Sequence, residues 1–202
     1  MQRLIEFDKA LKTLLVSIDS CVGTTKLNLS ECLGRIIAED LTSLIDIPGF
    51  DNSQVDGYAA RSGEVLKGRE FDVSQRIPAG SNPTSLEKGT VARIFTGAEP
   101  PSGSDCIIMQ EDVKIIGDQK VEFLKSVEVG ENIRKKACDL KKGEVVFKKG
   151  RQLSSADIGL CASVGKVSMQ VYEKITVGVF STGDELKQPG EKLERGQLFD
   201  SN

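Results

Sequence analysis

Histidine is absent from the 202-residue sequence, and its absence excludes several kinds of catalytic site. Serine or cysteine nucleophiles activated by a histidine base are excluded within the chain. A conventional zinc site is nearly excluded as well, because the cysteines lie far apart and form no Cys-x-x-Cys pair. The five cysteines are odd in number, which indicates reduced thiols and a cytoplasmic protein; they are Cys21, Cys32, Cys106, Cys138 and Cys161.

Other features are scarce or missing too. Tryptophan is absent and aromatic residues make up 5% of the chain, so platforms for stacking nucleic-acid bases are not expected. The net charge of -3 gives no general attraction to nucleic acid or to an anionic membrane. No run of about 18 apolar residues predicts a membrane span. The amphipathic, acid-containing N-terminus is not a signal peptide.

What the sequence does contain is a pattern of short strands with two helices. Apolar residues at three- and four-residue steps predict a helix over Phe7 to Ser17, from Leu4, Phe7, Leu11, Leu14 and Ile18. A serine cap and Gly165 bound a second helix after Ser154. Between them the chain is β-rich, with strands predicted at Phe71–Ile77, Thr90–Phe95, Cys106–Met109 and in a hairpin around Gly117-Asp118.

These patterns predict an α+β fold that is mostly β, in three parts. Residues 1–45 and 140–174 form a discontinuous mixed helix and strand domain that dimerises, and residues 46–139 form a small β-rich domain inserted into it. Residues 175–202 begin a truncated α/β domain, because Ile175–Phe180 resembles a parallel strand buried on both faces. Neither a crossover helix nor a partner strand follows it, so we expect an N-terminal piece of a longer protein.

Two polar clusters stand at predicted loops in the first half of the chain. The first, within Phe50–Arg61, contains Asp51, Asn52, Ser53 and Asp56 after Pro48-Gly49. It is either a ligand-facing loop or an elaborate Asx-type turn. In the second cluster a strand runs into Thr96-Gly97, whose hydroxyl and N–H groups could hold an oxyanion, although an ordinary β-turn has the same pattern.

Two further clusters lie in the second half. The basic run from Asn132 to Asp139 contains Arg134 and suits an anionic ligand, although most such runs are solvated surface. Ser181 to Glu185 follow the predicted parallel strand, where ligands of open α/β sheets bind. Carboxylates and hydroxyls alternating with cations suit a Mg²⁺-assisted reaction on a phosphorylated substrate.

Taken in order, the clusters resemble the molybdopterin molybdenumtransferases, namely MoeA in bacteria and the E domain of gephyrin in animals. The resemblance rests on Phe50-Asp51-Asn52-Ser53, Asp56-Gly57-Tyr58-Ala59, Pro78-Ala79-Gly80, Arg93-Ile94-Phe95-Thr96-Gly97-Ala98, Asn132…Arg134…Asp139 and Ser181-Thr182-Gly183-Asp184-Glu185-Leu186. The sequence departs from the family where Gln54-Val55 replaces Ala-Met. It departs again where Ala137-Cys138 replaces Gly-Glu, which removes a carboxylate and a flexible glycine.

The resemblance implies insertion of molybdenum from molybdate into adenylylated molybdopterin, with release of AMP and a requirement for Mg²⁺. It also implies a homodimer with a cleft between subunits, and a molybdopterin adenylyltransferase as the upstream partner. By the same analogy the catalytic residues are Asp56, Thr96, Asp139 and Glu185. The cofactor-binding residues are Asp51, Asn52, Ser53, Arg134, Ser181, Thr182 and Gly183, and the metal-binding residues are Asp56, Asp184 and Glu185.

Two other functions remain open from the sequence. One is a non-catalytic scaffold or binding module of the same fold, because gephyrin's family also anchors receptors. The other is an unrelated nucleotide-binding β protein. In the enzyme interpretation the 202-residue chain alone is expected to be inactive, since Glu185 would have no fixed position.

Overall fold

A computed structural model describes residues 5–17 and 22–201 of the chain, and short strands dominate it. The two helices are α1 (Phe7–Ser17) and α2 (Ser155–Ser163). The strands are β1 (Thr24–Asn28), β2 (Leu41–Thr42), β3 (Asn52–Ser53), β4 (Gly57–Ala60), β5 (Glu70–Ile77), β6 (Thr90–Ile94), β7 (Cys106–Met109), β8 (Val113–Ile116), β9 (Lys120–Phe123), β10 (Ile133–Arg134), β11 (Val145–Phe147), β12 (Ser168–Tyr172), β13 (Leu186–Lys187) and β14 (Leu198–Phe199). The prediction of a mostly β, α+β fold is confirmed. Leu4, Ile18 and Cys21, which the sequence patterns included, lie outside the described residues.

A six-stranded mixed sheet forms the middle of the chain, in the order β7-β4-β6-β5-β9-β8. Strands β5 and β6 are parallel, and the other neighbours are antiparallel. Both faces of the sheet are covered by apolar side chains, because alternate residues of each strand point to opposite sides. One face packs Tyr58, Phe71, Val91, Ile108 and Phe123, and the other packs Ala59, Ile77, Ala92, Ile94 and Ile107.

A second core joins the two ends of the sequence. Strand β1 pairs with β12 in antiparallel register, from Thr24 opposite Tyr172 to Asn28 opposite Ser168. Helix α2 packs on this pair, and the buried side chains include Cys32, Ile37, Leu41, Phe147, Leu153, Cys161 and Val171. Segments more than 100 residues apart therefore share one core, while the six-stranded sheet lies between them in sequence. The division into domains at residues 46, 140 and 175 stays a prediction.

The start of α2 is fixed by a buried carboxylate. Asp157 accepts hydrogen bonds from the Ser154 N–H at 2.9 Å and from the Arg151 guanidinium at 2.9 Å. Ser154 in turn caps the helix by accepting from the Asp157 N–H. The Arg151 guanidinium, followed by the Ser154 N–H, lowers the pKa of Asp157 to about 2. The cap is therefore charged throughout the neutral range.

Helix α1 forms where the sequence predicts it but buries none of its residues. Phe7, Leu14 and Leu15 are 78%, 61% and 62% exposed. An amphipathic helix normally places its apolar stripe against a core. Within residues 5–17 and 22–201, nothing covers this one. No helix in the same described ranges is long and apolar enough to cross a membrane.

The segment Ile175–Phe180 differs from the prediction. The sequence favours a parallel strand buried on both faces, yet the structure forms no strand there, and Val177 and Phe180 are 73% and 86% exposed. The physical reason is that a strand requires a neighbour for its N–H and C=O groups, and no described residue supplies one here. Among the described residues beyond it, the one strand pair is the short parallel pair of β13 with β14.

Candidate active site

Asp56 and Thr96 lie side by side at one end of the six-stranded sheet. The register of β4 and β6 places Gly57 opposite Ile94, which brings the turn before β4 to the turn after β6. Asp56 Oδ1 accepts hydrogen bonds from the Thr96 N–H and hydroxyl, both at 2.8 Å. The structure thus joins two motifs that are 40 residues apart in sequence.

This contact keeps the Asp56 carboxylate charged. The Thr96 N–H, and next the Thr96 hydroxyl, lower the pKa of Asp56 below its ordinary value. Both bonds go to Oδ1, and no donor among the described residues reaches Oδ2. Thr96 is exposed and Asp56 is half-buried. The pair therefore offers an oriented, ionised carboxylate oxygen to a ligand.

Gly57, immediately after Asp56, is required by packing. A Cβ at this position would lie 2.0 Å from the Ile108 carbonyl oxygen of the neighbouring strand β7. The Asp-Gly pair is visible in the sequence, but the close approach of the two backbones is not. Only glycine lets β4 lie against β7 here, and this fixes where Asp56 stands.

Arg93, the first residue of the motif that contains Thr96, lies near the site but was not predicted as a site residue. Its guanidinium donates to the Gly57 carbonyl at 3.1 Å and to Gln110 Oε1 at 2.6 Å. It also lies over the rings of Tyr58, at 5.1 Å, and Phe95, at 4.7 Å. Arg93 therefore holds together the residues that follow Asp56 and precede Thr96. An arginine between the apolar residues Ala92 and Ile94 of strand β6 is the sequence signal that could have identified it.

The first and third clusters also meet. Strand β3 pairs with β10, so Asn52 lies opposite Arg134 and Ser53 opposite Ile133. Ser53 is buried, and its backbone exchanges hydrogen bonds with Gly97 and Ala98 of the second cluster. Three clusters that are separate in sequence are thus linked through β3.

Ion pairs occupy the basic run. Asp51 accepts from Lys135 Nζ and from the Lys136 N–H, each at 2.8 Å. Arg134 pairs with Asp139. The Lys135 ammonium lowers the pKa of Asp51, and the Arg134 guanidinium lowers that of Asp139. The run is exposed; Asp51 and Asp139 balance two of its charges, and Asp46, outside the clusters, pairs with Lys136.

Ala137 has a backbone conformation that glycine prefers. Its φ is 58°, and its N–H donates to the Pro48 carbonyl at 2.9 Å. This is the position where the resembling family has glycine. The sequence departure therefore leaves a left-handed turn at alanine, which costs on the order of 1 kcal/mol.

The fourth cluster is built separately. Ser181 Oγ donates to Asp200 Oδ1 at 2.9 Å, and the Glu185 carbonyl accepts from the Leu198 N–H at 2.9 Å. The Glu185 carboxylate lies over Gly183, whose φ of 151° also favours glycine. Thr182, Asp184 and Glu185 are exposed. Within residues 5–17 and 22–201, no hydrogen bond or ion pair joins Asp56, Thr96, Arg134 or Asp139 to Thr182, Asp184 or Glu185.

The predicted magnesium ligands do not fit a complete metal site within this chain. In residues 5–17 and 22–201, no three acidic, cysteine or histidine side chains come close enough to hold an ion together. Mg²⁺ requires six oxygen ligands in near-octahedral geometry. Asp56, Asp184 and Glu185 thus supply at most part of such a shell.

The fold matches that of two solved structures of the molybdopterin biosynthesis MoeA protein from Pyrococcus horikoshii. One has a TM-score of 0.80 and 34% identity, and the match covers 98% of this chain and 52% of that one. The other has a TM-score of 0.86 and 37% identity, over 94% of this chain and 52% of that one. Fold and clustered motifs together therefore define a MoeA-type N-terminal region.

Sequence comparison agrees. The model of the MoeA N-terminal region (domain I and II) matches residues 5–165. The molybdopterin molybdenumtransferase of Haemophilus influenzae is 39% identical over 201 residues, which are 98% of this chain and 50% of that protein. The Nostoc enzyme of the same name is 37% identical over 195 residues, 94% of this chain and 44% of that protein. The chain belongs to the MoeA family, and it spans about half the length of these relatives.

Proposed function

We propose that the whole protein inserts molybdenum from molybdate into adenylylated molybdopterin and releases AMP. The observation that carries the proposal is the contact between Asp56 and Thr96, which turns two family motifs into one oriented carboxylate beside an exposed hydroxyl. The names of the relatives at 37% to 39% identity support the same reaction.

The residues of this chain would act by binding and orienting the substrate. Asp56 Oδ2 is placed to accept a hydrogen bond or a proton from a bound substrate, because Thr96 fixes Oδ1. The exposed pair between Arg134 and Asp139 contributes little to stability, as such pairs do in water. A phosphate can therefore compete for Arg134, since guanidinium binds phosphate through two hydrogen bonds. Glu185 and Asp184 would join from the fourth cluster.

Turnover by the whole protein tests this proposal against the scaffold alternative. Adenylylated molybdopterin, molybdate and Mg²⁺ are mixed with the protein, and AMP is measured by chromatography. An insertase releases AMP only when molybdate is present. Because the substrate is an adenylate, an adenylyl transfer must precede this step. This supports molybdopterin adenylyltransferase as the upstream partner. We propose the cytoplasm as the place where both reactions occur.

We further propose that the protein is a homodimer, with α1 contributing to the interface. The apolar side chains of α1 are exposed in the single chain, and a symmetric partner would cover them. In sedimentation velocity at tens of micromolar, we expect the full chain to be a dimer. Leu14→Glu, on the apolar stripe, should shift it towards monomer, whereas Thr13→Glu, on the polar side, should leave it dimeric. A wild-type chain that sediments only as a monomer would contradict the proposal.

A further inference from the structure

A groove of about 430 Å³ opens in the six-stranded sheet, next to the strands that carry Asp56 and Thr96. It lies where the β8–β9 hairpin leaves β5: β9 pairs with β5 only as far as Lys120 opposite Asp72, while β5 continues to Ile77. A β-bulge between Val73 and Gln75 bends β5 at the same place. The volume falls in the range of sites for small molecules, roughly 300–1,000 Å³.

The groove gathers positive charge in a chain whose net charge is -3. Arg76, Arg93 and Lys120 line it, against the single carboxylate of Asp118. Three cations around one opening create a positive local potential, which favours an anionic ligand. Arg76, Lys120 and Asp118 lie outside the motifs that support the proposed function. Arg93 is the first residue of one of them, the motif that contains Thr96.

Arg76 is the cation best placed to bind. Its guanidinium lies 4.5 Å from the centre of the Phe95 ring, which orients its plane. Within the described part of the chain it has no hydrogen bond or ion pair, so its five N–H donors are available. Arg93, in contrast, is already bound to Gly57 and Gln110. The contact of Lys120 with Glu70 is long, at 3.7 Å, and exposed on both sides.

Two apolar side chains also line the groove. Val73 is half-buried and Ile115 is 69% exposed, and both line the opening. A bare oxyanion has no apolar surface to place against these two side chains. We propose that the groove binds a phosphate monoester of a small organic molecule, with the phosphate on Arg76 and Lys120 and the organic part against Val73 and Ile115. This site goes beyond the proposed function, and neither depends on the other.

Titration of the ¹⁵N-labelled full chain with phenyl phosphate tests the site. We expect amide shifts at Ser74–Arg76 and Gln119–Lys120. Arg76→Gln should weaken binding at least about tenfold, because a bidentate charge-assisted contact is lost. The matched control is Arg69→Gln, since Arg69 also stacks on a phenylalanine, Phe71 at 4.8 Å, but lies outside the groove. The control should bind as the wild type does.

Three further arms decide the ligand class. Phenol, which lacks the phosphate, should not shift the groove amides. Inorganic phosphate should bind more weakly than phenyl phosphate. Lys120→Gln should weaken the binding of phenyl phosphate, and this variant tests the site if Arg76→Gln does not fold. The proposal is overturned if phenyl phosphate shifts only amides elsewhere, if Arg69→Gln weakens binding as much as Arg76→Gln, or if phosphate or molybdate alone binds as tightly as phenyl phosphate.

Discussion

Replacing Asp56 by asparagine in the whole protein is expected to lower molybdenum insertion at least about tenfold, with the Tm within a few degrees of wild type. Asparagine keeps the carbonyl oxygen that accepts from Thr96 N–H and hydroxyl, so the local geometry should persist. The negative charge is lost, and with it the oxygen that would bind the substrate. Insertion is measured as AMP released, and Tm by calorimetry.

Asp40→Asn is the matched control for this variant. Asp40 also accepts from one side chain and one backbone N–H, those of Lys148 and Lys149, but it lies outside all four clusters. It should retain wild-type insertion. The pH dependence offers a second check, because the pKa of Asp56 is already lowered. Its charge is complete above the ordinary carboxyl pKa of about 3.9 and is lost only as pH falls below that, so Asp56 should add no slope between about pH 5 and 8. Unchanged insertion by Asp56→Asn would remove Asp56 from the mechanism.

Gly57→Ala adds a single methyl group, yet it is expected to destabilise the six-stranded sheet strongly. The new Cβ would stand 2.0 Å from the Ile108 carbonyl oxygen, a backbone atom that cannot rotate away. Strand β4 would have to separate from β7, which would disturb the apolar packing on both faces of the six-stranded sheet. We expect a loss of at least about 3 kcal/mol in the free energy of unfolding, measured with urea, as for other severe core changes. Insertion should fall as well, because Asp56 is the preceding residue.

Gly63→Ala serves as the control, because the added Cβ meets nothing within 4 Å. Its unfolding free energy should stay within about 0.5 kcal/mol of wild type, as for ordinary surface changes. If Gly57→Ala instead proves as stable as Gly63→Ala, the close approach of β4 to β7 is wrong.

Local patterns predicted much of the fold. The hairpin around Gly117-Asp118 formed as the turn residues indicated, with β8 and β9 on either side. Helix α1 begins and ends where the apolar periodicity places it. Ile175–Phe180 was the exception, because an apolar run gives the tendency to form a strand but not the neighbour that a strand needs.

The sequence predicted a set of candidate site residues but not their geometry. The family resemblance pointed to Asp56 and Thr96, whereas their contact depends on the pairing of β4 with β6. Gly57 and Arg93 stood in the motifs but were not predicted as site residues, since their roles arise from a backbone contact and from stacking on the Tyr58 and Phe95 rings. The functional roles of all the predicted site residues, Asp56 and Thr96 as well as Asp139 and Glu185, stay predictions.

The most direct test of the account is the amount of AMP that the whole protein releases for each molybdenum atom it incorporates. Adenylylated molybdopterin is bound first, molybdate is then added, and AMP and protein-bound molybdenum are quantified in the same sample. The account predicts that AMP release begins only after molybdate is added and that it equals the molybdenum incorporated. A protein that binds adenylylated molybdopterin but releases no AMP on addition of molybdate would contradict it.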